Sequence, residues 1–288
     1  MKKQIFRFLL VCSLGFSACE LLPTAKDSLS SDDIVKGLRT ALEVGTDSSV
    51  DNILKKGYYN DKILKIILPP EAKVIEDNIS YIGQSDVLKV VGVDLNSCLN
   101  NFLKSMNRAA DSASRQARPI LKKSITDLSI TDGLTILQGQ NPAKGTTKST
   151  IAFDSTAATN YLIATTRDPL IIAYKRPIDD ELNKDLGLGF SANNSWSVLI
   201  TNYNKLANAA EIALTADAIF PYLTASERDI LRKFTVINQI TLGEYVTGKA
   251  LDGLFIKVGE QERNIRRNPW KWITDAVGDI LTKVFGQK

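Results

Sequence analysis

The stretch TLGEYVTGKALDGLFIKVGEQERNIRRNPWKWITDAVGDILTKVF, residues 241–285, decides the fold because it predicts two helices joined by a tight turn. Thr241 followed by Glu244 fits a capping box at the start of the first helix. An apolar stripe at helical spacing follows, and Asn268-Pro269 ends the helix because a residue before proline disfavours the α conformation. The second helix keeps a period of about 3.6. Two apolar faces joined by a turn need a third surface, which the rest of the chain must supply.

The chain upstream also reads as helices, so we expect an all-α, multi-helix single domain. The one break in the helical pattern is the Gly-, Pro- and Thr-rich insertion loop at about 139–155, which allows at most a small β-hairpin. In the N-terminal half we predict a helix from Ser31 or Asp32 to Gly57, one from Pro69-Pro70 to Gly83, one capped by Asp94 and stopped by Pro119, and one over Ser129–Gln138. In the C-terminal half we predict two helices separated by Asp168-Pro169, with Pro177 kinking or dividing the second. A further helix carries Trp196, Leu199, Tyr203 and Leu206, and another is capped at Thr224.

The first 19 residues, MKKQIFRFLLVCSLGFSAC, have a basic start, an apolar middle and small residues before a cysteine. That pattern is typical of a secretory signal, and the placing of Cys19 resembles the lipobox of bacterial lipoproteins. We therefore expect a signal peptide over 1–18, an acylated Cys19 with a tether over 19–31, and a helical domain over 32–288. Palmitate-type acyl chains would hold the protein in the bacterial cell envelope, on a periplasmic or outer-membrane face. The alternative is an ordinary signal with an incidental cysteine.

Charge and residue content exclude several classes of function. Three of the 36 basic residues lie in the signal, which leaves 33 against 32 acidic residues and no basic surface for nucleic acid. The chain has no histidine, so Ser-His and Cys-His catalytic pairs are excluded and the commonest metal ligand is missing. We expect no cofactor, no metal site and no disulfide, and Cys98 reads as an inert thiol on an apolar helix face.

Three segments resemble one family: Ser105–Gly139, Thr156–Leu170 and Glu244–Pro269. They read SMNRAADSASRQARPILKKSITDLSITDGLTILQG, TAATNYLIATTRDPL and EYVTGKALDGLFIKVGEQERNIRRNP. The family is that of bacterial lipoproteins and secreted proteins catalogued as domain of unknown function 4197, and the resemblance runs from about Leu38 to Phe285. It implies an exported helical domain and brings no assigned activity. Residues 143–155 and the longer stretch 207–236 depart from the family pattern.

Clusters of arginine and carboxylate residues are the candidate ligand or ion-network residues, and none of them is assigned as catalytic. Each cluster has a structural interpretation, an ion network between helices, and a functional one, an anion site in which guanidinium groups bind a phosphate, carboxylate or lipid head group. The candidates are Asn107, Arg108, Asp111, Lys249, Asp252, Glu262, Arg263, Arg266 and Arg267.

Spacing predicts particular pairs among these residues. Glu262 and Arg266 are one helical turn apart, as are Asp111 and Arg115, and such pairs attract each other. An alternative arrangement has Arg108 reaching another helix, where it pairs with Asp252 or Glu262. Four glycines in the same predicted helix as Glu262 indicate close helix contact or backbone approach to a ligand.

Two functions from different classes remain open. The first is a non-enzymatic lipoprotein that binds an envelope protein or a small anionic or lipid-like ligand. The second is a hydrolase or transferase in which Asp111, Asp252 or Glu262 acts as acid or base and an arginine stabilises negative charge. Convergence of these residues in one open cleft would favour the enzyme, and a dry, fully paired network would favour the binding module.

Overall fold

The computed structural model describes residues 29–142, 152–216, 221–272 and 276–286, and all regular structure in these ranges is helical. The predicted all-α class is therefore confirmed. Most of the insertion that allowed a hairpin lies outside the described residues, as do the signal peptide and Cys19. The helices are α1 (Ser31–Lys56), α2 (Lys73–Asn78), α3 (Asp86–Val90), α4 (Leu95–Asp127), α5 (Gly133–Leu137), α6 (Ala157–Leu182), α7 (Ala192–Thr215), α8 (Ala225–Leu231), α9 (Gly243–Arg267) and α10 (Ala276–Phe285), with 3₁₀ turns at Pro70–Ala72, Ile79–Gln84 and Pro269–Trp272.

Helix α4 is the central element, because it packs against α1, α6 and α7. Asp94 caps it as predicted, accepting a hydrogen bond from the Ser97 amide at 3.0 Å. Its inner face carries the buried alanines Ala109, Ala110 and Ala113. These side chains are short, so the neighbouring helices can approach α4 closely.

The predicted helix ends at Pro119 and Pro169 are wrong. Pro119 lies inside α4, and α6 continues through both Pro169 and Pro177. A proline inside a helix is unfavourable by about 3 kcal/mol. Large apolar side chains beyond each proline, such as Leu121 and Tyr174, are buried, and each gains roughly 1.5–3 kcal/mol from burial. Tertiary packing therefore outweighs the local effect of proline.

Helix α9 crosses α1 and α6 and begins at Gly243. Leu242 is the residue before its first turn, and no side chain caps that turn, so the predicted capping box of Thr241 and Glu244 is not formed. The predicted end at Asn268 is confirmed. The buried position of Leu242 in the core holds the start of the helix in place of a polar cap.

The glycines of α9 mark where other parts of the chain touch it. A β-carbon at Gly253 would lie 2.5 Å from Cε1 of Tyr58, and both Gly243 and Gly259 face residues at the two ends of α6. A β-carbon at Gly248 would meet nothing within 4 Å. Close contact with a neighbouring helix or with the segment after α1 thus accounts for three of the four glycines.

The first and last helices of the described chain pack together. Ser30, one residue earlier than predicted, caps α1 in a reciprocal box with Asp33. Lys283 of α10 reaches back to Asp33, with Nζ 2.9 Å from Oδ2, and Val284 lies directly over Gly37. The two ends of the domain therefore lie side by side.

Other boundaries follow the sequence with small changes. Helix α5 is shorter than the predicted 129–138, and the Thr224 capping box is confirmed. Residues Trp196, Leu199, Tyr203 and Leu206 of α7 are all buried, as their spacing predicts. Cys98 is half-buried, and the side-chain amide of Asn202 lies 3.4 Å from its Sγ.

Among the described helices, none has the length and apolar content needed to cross a membrane.

Candidate functional site

Glu262, a residue of α9, is buried at the start of another helix, α6. Its side chain is 1% exposed, and its carboxylate accepts hydrogen bonds from the backbone amides of Ala158 and Thr159 at 3.0 and 2.8 Å. The Thr159 hydroxyl donates a third bond at 2.7 Å. These amides belong to the first turn of α6, whose own preceding residue, Thr156, makes no side-chain cap. Glu262 therefore caps α6 from a distance, and its negative charge suits the positive end of that helix.

Arg266 completes this arrangement one turn along α9. Its Nε donates to Glu262 Oε1 at 2.8 Å, while Nη1 and Nη2 donate to the carbonyl oxygens of Leu137 and Ile136 at 2.9 and 3.1 Å. Those carbonyls lie at the end of α5. The Arg266 side chain is 6% exposed, and the ring of Phe285 lies 5.3 Å from its guanidinium carbon. One buried ion pair thus satisfies the ends of two helices.

Asp252 and Arg263 line a different place, an open groove of about 420 Å³ between α6 and α9. Asp252 is paired with Arg167 of α6 at 2.8 Å, and Nε of Arg263 donates to the Ser155 hydroxyl at 3.2 Å. Each charge in this groove therefore has a partner already, and Arg108 is not one of them. The expected pairing of Arg108 with Asp252 or Glu262 is wrong.

Asn107 has a structural position. Its side-chain oxygen accepts a hydrogen bond from the Ile66 amide at 2.8 Å, and its side-chain nitrogen donates to the carbonyls of Ile66 and Leu103 at 2.8 Å. These hydrogen bonds attach the irregular segment that precedes α2 to helix α4. Lys249 and Arg267 are exposed, and the only described contact of Lys249 is a distant one, 6.0 Å above the ring of Tyr245.

Asp111 lies at the edge of the core, where α1 ends. Its Oδ1 accepts a hydrogen bond from the Tyr58 amide at 2.6 Å, next to Gly57, which has a positive φ of 76°. Burial raises the pKa of Asp111 to about 6, although the Tyr58 amide and the positive charge of Arg108 act to lower it. The ion pair of Asp111 with Arg115 that the spacing predicts is not formed, because the carboxylate turns inward to the end of α1.

A cleft of about 350 Å³ opens beside Asp111. Arg108 and Arg115 stand two turns apart on the same face of α4 and are exposed. Neither guanidinium has a hydrogen bond or a direct ion pair with any described residue; Asp111 and Glu181 act on them only at longer range. Arg115, Ser112, Leu54 and Leu186 complete the lining.

The residues on which the enzyme hypothesis depends do not converge. Glu262 and Arg266 form a dry, fully bonded pair, Asp252 lies in the groove between α6 and α9, and Arg108 lies in the cleft beside Asp111. The described residues hold no group of three carboxylate or cysteine side chains placed to bind a metal ion. Three separate arrangements therefore replace the single cluster.

A family model described as "Protein of unknown function (DUF4197)" matches residues 28–286. The chain belongs to this family. No curated protein and no solved structure matches it. Membership thus establishes a shared domain and leaves its activity open.

The three segments that carry the family resemblance meet at one point of the DUF4197 domain. Ile136 and Leu137 lie in the first, Ala158 and Thr159 in the second, and the Glu262–Arg266 pair in the third. Sequence spacing predicts the pair itself but not its backbone partners, because capping of a distant helix leaves no charge pattern in the sequence. The sequence even favours a local cap, since Thr156 is a preferred residue type at that position, and only the structure shows that its side chain does not cap α6.

Some lining residues of the cleft had no sequence signal. Arg115 was expected only as the ion partner of Asp111, although its seven-residue spacing from Arg108 places both on one helix face. Leu54 and Leu186 come from other elements and have no pattern that connects them with α4. Glu181, which is paired with Lys184 at 2.6 Å, adds an acidic edge near Arg115.

Proposed function

We propose that this chain is an envelope-anchored helical lipoprotein that binds an anionic ligand in the cleft of Arg108 and Arg115. The observation that carries the proposal is the contrast between these two arginines, which have no ion partner among the described residues, and Arg266, each of whose three guanidinium nitrogens donates to a protein acceptor. The anchor is supported by the N-terminal sequence, with its basic start, apolar middle and Ser-Ala-Cys ending.

The chemistry of the cleft selects a carboxylate or a phosphate. Guanidinium groups offer planar, paired donors that match these anions. Leu54 and Leu186 supply apolar surface beside them, which suits an anion whose first few carbon atoms lie against these side chains. A volume of about 350 Å³ is at the lower end of the range of small-molecule sites, roughly 300–1,000 Å³.

The charge of the cleft depends on pH through Asp111. Because its pKa is raised to about 6 by burial, Asp111 is ionised at neutral pH and becomes neutral as the pH falls through about 6. Loss of that negative charge leaves Arg108 and Arg115 less compensated. Binding of an anion whose own charge is constant over this range should therefore tighten as the pH is lowered from 7 to about 5.

Calorimetric titration of the full mature chain tests the cleft, with inorganic phosphate and dodecyl phosphate as probes. Removing one charge-assisted hydrogen bond is worth about 1.5 kcal/mol or more, so Arg108→Gln and Arg115→Gln should each weaken binding about tenfold. Arg176→Gln is the matched control, since Arg176 is exposed on α6 and does not line the cleft. Equal affinity of all three variants, or no binding of either probe, would refute the proposal.

The two probes also separate parts of the site. A preference for dodecyl phosphate that is reduced by Leu186→Ser would place the alkyl chain on the apolar side of the cleft. Equal affinity for both probes would limit the ligand to a free anion.

Fractionation of cells tests the anchor separately. The chain should sediment with membranes through acylated Cys19, and Cys19→Ala should move it out of that fraction. An unchanged distribution of Cys19→Ala would contradict lipid anchoring while leaving the cleft prediction intact.

A second function has one specific observation in its favour. Asp111, with a pKa of about 6, lies beside Arg108 and is suited to transfer a proton near neutral pH, as a hydrolase or transferase requires. In a hydrolase, water would cleave dodecyl phosphate to inorganic phosphate and dodecanol. Phosphate release that disappears in Asp111→Asn would establish this function, and recovery of intact dodecyl phosphate would favour binding alone.

A further inference from the structure

The turn between α9 and α10 presents an aromatic and basic corner, which we define as Arg267, Trp270 and Lys271. Trp270 is 55% exposed, which is unusual for so large an apolar side chain. Arg267 and Lys271 are also exposed, and neither has an ion pair with any residue in the described ranges. The corner therefore combines free positive charge with an exposed indole.

This corner lies close to the place where the chain enters the domain. Lys283 is bound to Asp33 in the first turn of α1, which fixes the last turn of α10 beside the N-terminal end of the domain. One turn further along, a β-carbon at Gly286 would lie 2.9 Å from the indole of Trp270. Two contacts thus connect the first turn of α1 with the corner.

The position of Cys19 limits how far this end can be from a membrane. Ten residue steps separate Cys19 from Leu29, the first described residue, and a fully extended chain covers at most about 3.6 Å for each. An acylated Cys19 would therefore hold Leu29 within roughly 35 Å of the lipid head groups. The same restraint keeps the corner near the bilayer surface.

We propose that the corner of Arg267, Trp270 and Lys271 docks on the anionic phospholipid surface of the membrane that holds Cys19. The proposal rests on the lipid anchor of the proposed function. Indole rings are favoured at membrane–water interfaces, and basic side chains are attracted to anionic head groups. Helix α10 itself is not the docking element, because its buried side chains Ile280, Leu281 and Val284 face the protein.

The geometry distinguishes this docking from simple tethering. A tether alone leaves the domain free to rotate, whereas docking at one corner gives the domain a fixed orientation. Tethering also raises the effective concentration of the corner at the surface, so a weak contact is sufficient. Each basic side chain near an anionic surface contributes about 1 kcal/mol, a factor of about five in the docked population.

Quenching of tryptophan fluorescence by lipids brominated on their acyl chains measures the docking. The full mature chain is reconstituted into vesicles of phosphatidylethanolamine and phosphatidylglycerol. We expect quenching that Trp270→Phe largely removes and that Arg267→Gln and Lys271→Gln each reduce, with about fivefold fewer docked molecules. Arg176→Gln, an exposed arginine of α6, should leave quenching unchanged. Of the other two tryptophans, Trp196 is buried, and Trp272 is half-buried and packed against Ile265 and Leu281, so Trp270 is the exposed reporter.

Parallel measurements on Cys19→Ala separate the two proposals. Membrane binding that depends on Cys19, with Trp270 unquenched or equally quenched in Lys271→Gln, keeps the anchor and overturns the docking. Quenching that persists in Cys19→Ala but is lost in Trp270→Phe supports docking and removes the anchor. If the protein binds vesicles in neither form, both proposals fail. Melting temperatures of each variant verify that the fold is intact.

Discussion

The Glu262–Arg266 pair and the cleft of Arg108 and Arg115 use the same side-chain chemistry in opposite ways. In the first, a carboxylate and a guanidinium are almost completely buried and bond the backbone ends of α6 and α5. In the second, two guanidinium groups are exposed and the nearby carboxylate of Asp111 is directed at the end of α1. Both regions lie within the segments that resemble the family.

The difference between these regions is a difference in unused hydrogen-bonding capacity. A buried charge is tolerated only when its donors or acceptors are matched, and a matched site has nothing left to offer a ligand. An exposed arginine beside an apolar wall can exchange water for an anion. The free donors of a charged cluster, rather than its charge count, therefore indicate where a ligand can bind.

The largest expected effect is in the buried pair. Arg266→Ala leaves the Glu262 carboxylate buried without its counter-charge and strands the carbonyls of Ile136 and Leu137. Removing one member of such a pair lowers the free energy of unfolding by roughly 3–5 kcal/mol, which corresponds to a fall in melting temperature on the order of 10 °C. Thermal unfolding followed by circular dichroism measures this.

The next residue supplies the control for that experiment. Arg267 has the same chemistry, is exposed and lacks an ion pair with any described residue, so Arg267→Ala should change stability by less than about 0.5 kcal/mol. Equal melting temperatures for the two variants would abolish the distinction between a structural and an available arginine.

The second effect has the opposite sign and concerns the cleft. Burial raises the pKa of Asp111 from 3.8 to about 6, so the ionised carboxylate destabilises the folded state. This penalty is absent below about pH 4, grows between about pH 4 and 6, and stays constant above. Asp111→Asn keeps an acceptor for the Tyr58 amide and should raise the free energy of unfolding by about 2–3 kcal/mol at neutral pH.

Urea denaturation of Asp111→Asn and the unchanged protein near pH 4 and near pH 7 measures the effect. The difference between the two proteins should vanish at the lower pH. Destabilisation at neutral pH would mean that the folded protein needs the charge of Asp111, as it needs the charge of Glu262.

A third comparison tests how tightly α9 is packed. Gly253→Ala forces a β-carbon against the ring of Tyr58 and should lower the free energy of unfolding by about 1–3 kcal/mol. Gly248→Ala enters open space and should raise it by up to about 1 kcal/mol, because alanine favours helix. Chemical denaturation of both variants gives the answer, and the same sign for both would show that contact does not explain these glycines.

The smallest effect concerns an exposed ion pair, an intermediate case between the two regions. Lys283 and the Ser30 cap hold the pKa of Asp33 at about 2. Lys283→Gln should move that pKa toward 3.8, with little change in the fold, as measured by NMR titration of the carboxyl carbon. If the pKa of Asp33 stays at about 2, the last turn of α10 does not hold the start of α1.

Local sequence patterns predicted the elements better than their partners. Apolar spacing identified the buried face of α7, and Asp94 and Thr224 were correct caps because capping depends on neighbours within one turn. The predicted helix ends at Pro119 and Pro169 were wrong, because burial of the residues beyond each proline decides whether the helix continues. That burial is a property of the assembled helices and is absent from any local window.

For the candidate site too, contacts within one helix were predicted and contacts between distant segments were not. Glu262 and Arg266 were predicted as a pair because their spacing is helical, whereas the predicted reach of Arg108 to Asp252 failed because it required knowledge of helix orientation. Asp111 was a candidate because it lies off the apolar stripe of its helix. Its partner, the amide of Tyr58, has no side-chain signal and could not be inferred.

The contacts that α9 and α10 make with the N-terminal part of the chain can form only late in synthesis. Lys283 and Asp33 are 250 residues apart in sequence, and the hydroxyl of Tyr58 bonds the carbonyl of Ala250, 192 residues later. At about 5–20 residues per second, a ribosome needs roughly 10–40 s between making α1 and making α9. Throughout that interval α1 lacks the surface that closes over it. The contacts that close the fold are therefore made last, and the domain stays open until almost all of it has been synthesised.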